Sequence, residues 1–329
     1  MSPGPSGYHL TTSPPATVYA VPLVGRSMRD IHATAPTHGR LPLRSVGVSG
    51  IRKPLSVRRG DRVNVLAVTF HVAVDLPSER KGSDLSRNAE ILAEIVDRTV
   101  GRPVTSLEEA CSTIALELLD RHAYATEATV NAEAEYFLRK GITPEKQSFE
   151  DYTLLAEARA VRGADGRVEM RRGIGAEAVG MTACPCAMET CRDALQAEYP
   201  HLADPEFRSL PMISHNQRNR TRLVFEFEGE GTVEVDDLID AIEHAQSSPT
   251  YAILKRGDEG RVVLDAHRNP KFVEDVLRDL LAALPGRFQE VPDATVVRAA
   301  TVSEESIHKY NVEASHELTF GELRRSAAR

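Results

Sequence analysis

The feature that most constrains the fold is how the strand-like segments are grouped: they cluster, the clusters are separated by pairs of helical segments, and this order occurs twice. In Arg62–Leu76, RVNVLAVTFHVAVDL, residues Leu66, Val68, Phe70, Val72 and Val74 occupy alternate positions, the period of a half-buried strand. Two helical patterns follow. In LSRNAEILAEIVDRTV, Leu85, Leu92, Ile95, Val96 and Thr99 fall at helical spacings. Thr105 or Ser106 caps the next helix, with Glu108 or Glu109 three residues on. Cys111 lies on that helix and reads as a small core residue. Segments 125–138 and 152–161 then alternate, and a hairpin turn at residues 163–166, GADG, leads into a strand from Arg167. The order returns further on. Leu223, Phe225 and Phe227 alternate, residues 235–246 and 270–284 carry helical periods, and residues 295–302 alternate again. Strands that cluster, instead of alternating singly with helices, predict an α+β arrangement of antiparallel sheets backed by helix pairs. No residue-level repeat accompanies the doubling, which rests on element order alone.

Three regions follow. Residues 1–44 are rich in Pro, Gly, Ser, Thr and His and read as a flexible lead-in, with His9, His32 and His38 solvated. Residues 45–165 and 166–329 are the expected halves. With 41% hydrophobic and 27% charged residues, the chain can bury a sizeable core. No apolar run approaches the roughly 20 residues that span a bilayer, and the first residues lack a basic n-region and a long apolar h-region. No membrane association and a cytoplasmic location are therefore expected. A formal net charge of -8 argues against a nucleic-acid coat but leaves room for a small anionic ligand at a local Lys/Arg cluster. Neither GxGxxG nor a P-loop pattern occurs.

Three of the four cysteines fall in GMTACPCAMETC, residues 180–191. A disulfide, a metal site, a nucleophile and simple packing are all open readings, and a reducing compartment favours metal binding or catalysis. A zinc finger is disfavoured, because Cys184 and Cys186 are one residue apart and no second cysteine pair exists. Further donors occur singly in distant polar segments: His215 in SHNQRNR, Glu259 in KRGDE and His308 in SEESIH. Alone, each histidine reads as solvated or satisfied, and Glu259 as exposed at a turn.

Together, CPC, SHNQR, SSPTYAILKRGDE, NPKFVED, ESIH and the earlier DLPSERKGSDLSRN closely resemble the type IB GTP cyclohydrolases, over nearly everything after the lead-in. The resemblance implies the tunnelling fold: two similar halves, antiparallel sheets with helices on one face, and a homotetramer with active sites between subunits. The longer linker at residues 188–213 is similar to the archaeal-type members. These form the 2',3'-cyclic phosphate of dihydroneopterin, for methanopterin or folate-like cofactors, which favours that product here and leaves the triphosphate open.

Carried over residue by residue, the resemblance implies that Cys184, His215, Glu259 and His308 hold one divalent metal, with His316 a rival for the last position. Iron(II) is favoured and zinc or manganese also suits such donors. Cys186 then shapes the turn or lies behind the ligands, and Cys191 packs. Glu274 matches the glutamate that accepts N1–H and the 2-amino group of guanine. His244, His267 and Glu243 are candidates for a proton relay. Lys81, Arg87, Arg218, Arg220, Lys255 and Arg256 are candidates for the phosphates of GTP. Where bacterial members tend to have histidine in the KGxHxSR segment, this chain has Asp84, a carboxylate expected to point away from phosphate. Two rivals differ in kind. A nitrile reductase of the same fold needs a metal-free cysteine and NADPH, and a non-enzymatic scaffold would bind metal without turning over GTP. Metal analysis separates the first, and product analysis the second.

Overall fold

A computed structural model describes residues 30–36, 39–202, 205–229, 231 and 233–327. His9 and His38 lie outside them. The first half supplies β1 (Leu43–Arg59), β2 (Arg62–Leu76), α1 (Leu85–Gly101), α2 (Leu107–Arg121), β3 (Glu127–Thr143) and β4 (Lys146–Arg162). The second supplies β5 (Val168–Ala183), α3 (Pro185–Glu198), α4 (Pro205–Ser209), β6 (Asn216–Glu228), α5 (Val235–Ala245), the two-residue β7 (Ser248–Pro249), α6 (Arg256–Arg268), α7 (Val273–Arg287), β8 (Val296–Glu304), β9 (Val312–Thr319) and α8 (Phe320–Ala327). The fold is α+β, with the doubled order of strands and helix pairs that the tunnelling fold requires.

The sheets are not separate. All strands pair antiparallel in one sheet, in the order β1-β2-β3-β4-β5-β6-β8-β9, with β7 on β5. Thr153 to Arg162 of β4 pair with Glu177 to Val168 of β5 and fuse the halves. The GADG hairpin makes this possible: Gly166 donates its N–H to the Gly163 carbonyl and has φ +80°, which glycine adopts without strain. One face of the sheet carries the core. Val68, Phe70, Val72 and Val74 of β2 are buried with Ile91, Leu92 and Ile95 of α1 and Ile114 and Leu118 of α2. Leu223, Phe225 and Phe227 of β6 join Leu238 and Ile242 of α5 and Leu280 and Leu284 of α7. The Phe225 ring lies 5.1 Å from that of Phe288 and 5.9 Å from that of Phe320, centroid to centroid. Each such side chain contributes roughly 1.5–3 kcal/mol by leaving water.

The opposite face is polar and laced with cross-strand ion pairs. Arg222 reaches Glu133 at 3.3 Å and Glu177 at 2.9 Å, Arg220 reaches Glu177 at 2.8 Å, and Arg298 bridges Glu226 and Glu157. Opposite charges facing each other across neighbouring strands stabilise a solvated sheet face.

Several elements escaped the sequence pattern, four of them for identifiable reasons. In β1 a register shift between Val48 and Ile51 breaks the alternation, and the chain passes so close to β2 that a Cβ on Gly47 would sit 1.9 Å from the Val72 carbonyl oxygen. β9 is a largely exposed edge strand. α6 buries only Asp258, Val262 and Ala266, too few apolar positions to show a period, so Glu259 stands on a helix and not at a turn. α3 occupies what reads as linker, and only Met188 of it is buried. The lead-in also makes specific contacts near its end: the carbonyls of His32 and Thr34 accept the N–H of Lys81, at 3.2 and 2.8 Å.

Candidate functional site

The cysteine and histidine motifs meet where the β5–β6 ladder ends. Its last pair is Ala183 with Asn216. Just beyond it, the N–H of Cys184 donates to the His215 carbonyl at 3.2 Å, and the Ser214 hydroxyl donates to the Cys184 carbonyl at 2.6 Å. Pro185 opens α3 at a position where its missing N–H costs nothing, leaving Cys184 as the capping residue. The Cys184 sulfur accepts the Ala187 N–H at 3.5 Å, at a helix end that favours negative charge. Behind His215 stands Glu305, its side chain 9% exposed, with a carboxylate oxygen 3.9 Å from His215 Nδ1. The Ser306 hydroxyl lies 3.4 Å from the same nitrogen. Glu305 was not singled out from sequence, although its place in ESIH, three residues before His308, could have marked it.

Several other predicted residues share this end of the sheet. The N–H of Lys271 donates to the Ala183 carbonyl at 3.1 Å, which brings the first turn of α7, and with it exposed Glu274, beside the cysteine. His308 is exposed two residues beyond Ser306 and stacks on Tyr310 at 5.1 Å. His316 instead pairs with Ala299 on β9, opposite Leu223 of β6, eight positions along from His215. Exposed Glu259 and Lys255 lie at the start of α6, tied down where Asp258 pairs with Lys146 at 2.7 Å. Arg218 is exposed on β6, while Arg220 is committed to Glu177 and, at 3.5 Å, to Glu304. Cys186 is exposed in the first turn of α3 and Cys191 is half-buried on the same helix. Buried Cys111 has its thiol pushed far up by desolvation, as expected of a core residue. The four expected metal donors do not converge in one chain. Among the described residues no group of three or more His, Cys, Asp or Glu side chains could hold a metal ion. Cys184 and His215 are the pair that the fold itself brings together.

A cavity of about 540 Å³ opens beside this end, lined by Lys140, Glu243, His244, Ser247, Tyr251 and Asn269 among others. It is linked to the cysteine strand through Ser247, whose hydroxyl accepts the Ala183 N–H at 3.4 Å. Glu243 accepts from Lys140 at 2.6 Å and from the Tyr152 hydroxyl at 2.6 Å. Burial opposes the Lys140 charge, but hydrogen bonds to Asp240 and Glu243 outweigh it and raise its pKa. Burial and Glu243 push the Tyr152 phenol well up. Glu243 is thereby committed to a cation and a phenol. His244 and His267 each donate Nδ1–H to the carbonyl four residues back, of Asp240 at 2.6 Å and of Val263 at 2.8 Å, which leaves Nε2 as the acceptor.

Lys81 and Arg87 lie elsewhere. Their loop follows β2, whose Val74 pairs with Ala128, while the neighbouring Glu127 pairs with Val161 of β4. From Val161 to the level of Ala183 the ladder runs about fourteen residues, on the order of 45 Å at roughly 3.3 Å per residue. In one chain, then, these two residues and Cys184 occupy opposite ends of the sheet. The loop itself is built around Asp84, which pairs with Arg87 at 3.0 Å and Arg80 at 3.5 Å. Arg87 also donates to the Arg121 carbonyl at 3.1 Å. The unexpected carboxylate thus organises the arginines of its own loop.

Comparison with known proteins gives a consistent result. A family model described as type I GTP cyclohydrolase folE2 matches residues 28–314. "GTP cyclohydrolase MptA 2" of Methanocella arvoryzae is 40% identical over 303 residues, covering 90% of this chain and 97% of that protein. "GTP cyclohydrolase MptA" of Methanothermobacter thermautotrophicus is 38% identical, covering 90% and 94%. Among solved structures, the uricase of Arthrobacter globiformis is similar at 11% identity with a TM-score of 0.47, over 86% of this chain and 96% of that one. No helix among the described residues is long and apolar enough to cross a membrane. With a family model spanning residues 28–314 and relatives near 40% identity over about nine-tenths of the chain, the chain belongs to the type I GTP cyclohydrolase folE2 family.

Proposed function

We propose that this GTP cyclohydrolase opens the imidazole ring of GTP and releases formate at a divalent metal centred on Cys184 and His215, forming a 7,8-dihydroneopterin phosphate for a methanopterin-like or folate-like pathway. The observation that carries the reading is the backbone pairing of Cys184 with His215, from motifs about thirty residues apart, at the end of the β5–β6 ladder. A thiol aimed at a helix N-terminus and an imidazole backed by a carboxylate make a donor pair suited to iron(II), zinc or manganese. Glu259 and His308 complete the expected set, from α6 and from the loop after β8. A metal bound there supplies a Lewis acid that brings the pKa of water toward about 7.

The chain's own groups do the rest. Glu274 accepts N1–H and the 2-amino group of guanine and sets C8 toward the cysteine end. His244 and His267 present Nε2 as acceptors and can carry the protons that move as the ring opens. Arg218 and Lys255 stand at the same end as cations for phosphate.

Lys81 and Arg87 serve the same site from a neighbouring chain. The separation of about 45 Å between the two ends supports this reading, since residues so far apart in one chain meet only across a subunit boundary. A homotetramer with shared sites satisfies that requirement. The archaeal character of the relatives favours the 2',3'-cyclic phosphate over the triphosphate. Mass spectrometry of the product formed from GTP under anaerobic conditions, with iron, manganese and zinc supplied separately, tests the reading. No formate with any metal would overturn it, and the mass of the pterin product distinguishes cyclic phosphate from triphosphate.

A further inference from the structure

Behind the Lys81–Arg87 loop lies a polar cluster that none of the roles above uses. His122, at the C-cap of α2, is 0% exposed. Its Nε2 is 2.7 Å from Asn88 Oδ1, and its Nδ1 is 3.0 Å from the Tyr124 hydroxyl. The Tyr124 hydroxyl is in turn 2.8 Å from that of Ser83. Burial, reinforced by the Arg87 charge, lowers the His122 pKa. The Tyr124 hydroxyl donates to that of Ser83, so His122 and Tyr124 link Ser83 to Asn88 in one hydrogen-bonded chain. Ser83 and Asn88 are the buried residues on either side of Asp84 and Arg87, and the Arg80 guanidinium lies 4.1 Å over the Tyr124 ring. One His–Tyr pair thus grips the loop through the side chains of Ser83 and Asn88 and supports the Arg80 cation.

We infer that His122 and Tyr124 are positioning residues for the triphosphate of GTP, holding the 80–88 loop in the shape that presents Lys81 and Arg87. This rests on the reading that these two cations bind phosphate. Neither His122 nor Tyr124 touches substrate; both act through Ser83, Asn88 and Arg80. A general stabiliser of the fold would weaken every activity together, whereas a positioning pair weakens the grip on phosphate and spares the base and the chemical step.

Inorganic tripolyphosphate and guanosine, each used as a competitive inhibitor of the full-length enzyme, probe the two parts of the substrate separately. Tyr124→Phe removes one hydroxyl and keeps the ring under Arg80. It is expected to raise the KM for GTP about tenfold with kcat within about twofold, and to weaken tripolyphosphate inhibition to match while leaving guanosine inhibition unchanged. His122→Ala is expected to weaken tripolyphosphate inhibition further, by about a hundredfold, and His122→Gln, which restores a donor toward Asn88, to recover part of it. If His122→Ala does not fold, Tyr124→Phe decides. Tripolyphosphate inhibition unchanged in a folded Tyr124→Phe enzyme, or lost in step with guanosine inhibition, overturns the inference. Lys81→Ala and Arg87→Ala separate the two levels. If they lose tripolyphosphate inhibition while Tyr124→Phe does not, only the positioning role falls; if they too leave it intact, the phosphate reading falls and takes the positioning role with it.

Discussion

The two ends of the sheet are finished to different degrees. At the 80–88 loop Asp84 is engaged with two arginines, Arg87 with a carbonyl and His122 with an amide and a phenol, although Arg80 Nε and Asn88 Nδ2 are buried without a partner among the described residues. At the other end Cys184 and His215 are joined through their backbones, while their side chains meet only one helix N–H, one serine and a carboxylate at 3.9 Å. The contrast suits two kinds of binding. A multiply charged anion is recognised best by cations whose directions are fixed beforehand. The metal proposed at the other end would supply binding free energy of its own to draw its ligands together.

Removing a donor from the loosely built end should do the most damage. Cys184→Ala is expected to lose bound metal, by elemental analysis, and to cut formate release by about a thousandfold or more, because several kcal/mol of charge stabilisation disappear at about 1.4 kcal/mol per factor of ten. Full activity in this variant would dissolve the distinction between the ends. Next in size is recovery on mixing. Cys184→Ala and Lys81→Ala enzymes, each inactive, are dissociated together and reassembled. If one chain's loop completes a neighbour's cysteine end, random assortment leaves roughly a quarter of the sites with both residues intact, and a comparable share of activity returns. No recovery in demonstrated hetero-oligomers would place both residues' roles within one subunit.

Glu274→Gln sets an amide donor against a guanine donor and is expected to weaken GTP binding about ten- to a hundredfold, measured by calorimetry, with metal content unchanged. Glu305→Gln tests what stands behind His215. If this carboxylate closes on the imidazole when metal binds, metal affinity should fall at least about tenfold in a competition with a chelating dye, and unchanged affinity would leave Glu305 without a part. Asp84→Asn belongs to the rigid end and should do least: about 1 kcal/mol or less of stability by denaturant unfolding, since its partners are partly solvated.

Much of this was legible in the sequence because burial writes itself as periodicity. β2, α1, α2 and β6 bury one face against a thick core, and their apolar spacing shows it. β1, β9 and α6 stand at edges or bury too little to leave a period. The candidate site divides in the same way. Cys184 and His215 were readable because their motifs are dense in unusual residues, and the fold does unite them. Glu259 and His308 do not join them within one chain, and no spacing states where two loops on distant elements will point. Arg220 is a different case: its motif made it a candidate for phosphate, and its position on the polar sheet face pairs it with Glu177. His122 left no pattern, because a lone histidine at a helix end meets Asn88 only when α1 and α2 pack together.

The fusion of β4 to β5 has a consequence for how the protein is made and lost. A chain with only its first half folded would present β4 as a long, unpaired edge, the kind of surface on which other chains add strands. The hairpin that turns at Gly166 covers that edge with the next segment to leave the ribosome. The halves should therefore melt in one transition, and a chain cut at the hairpin should yield a first fragment that aggregates instead of folding.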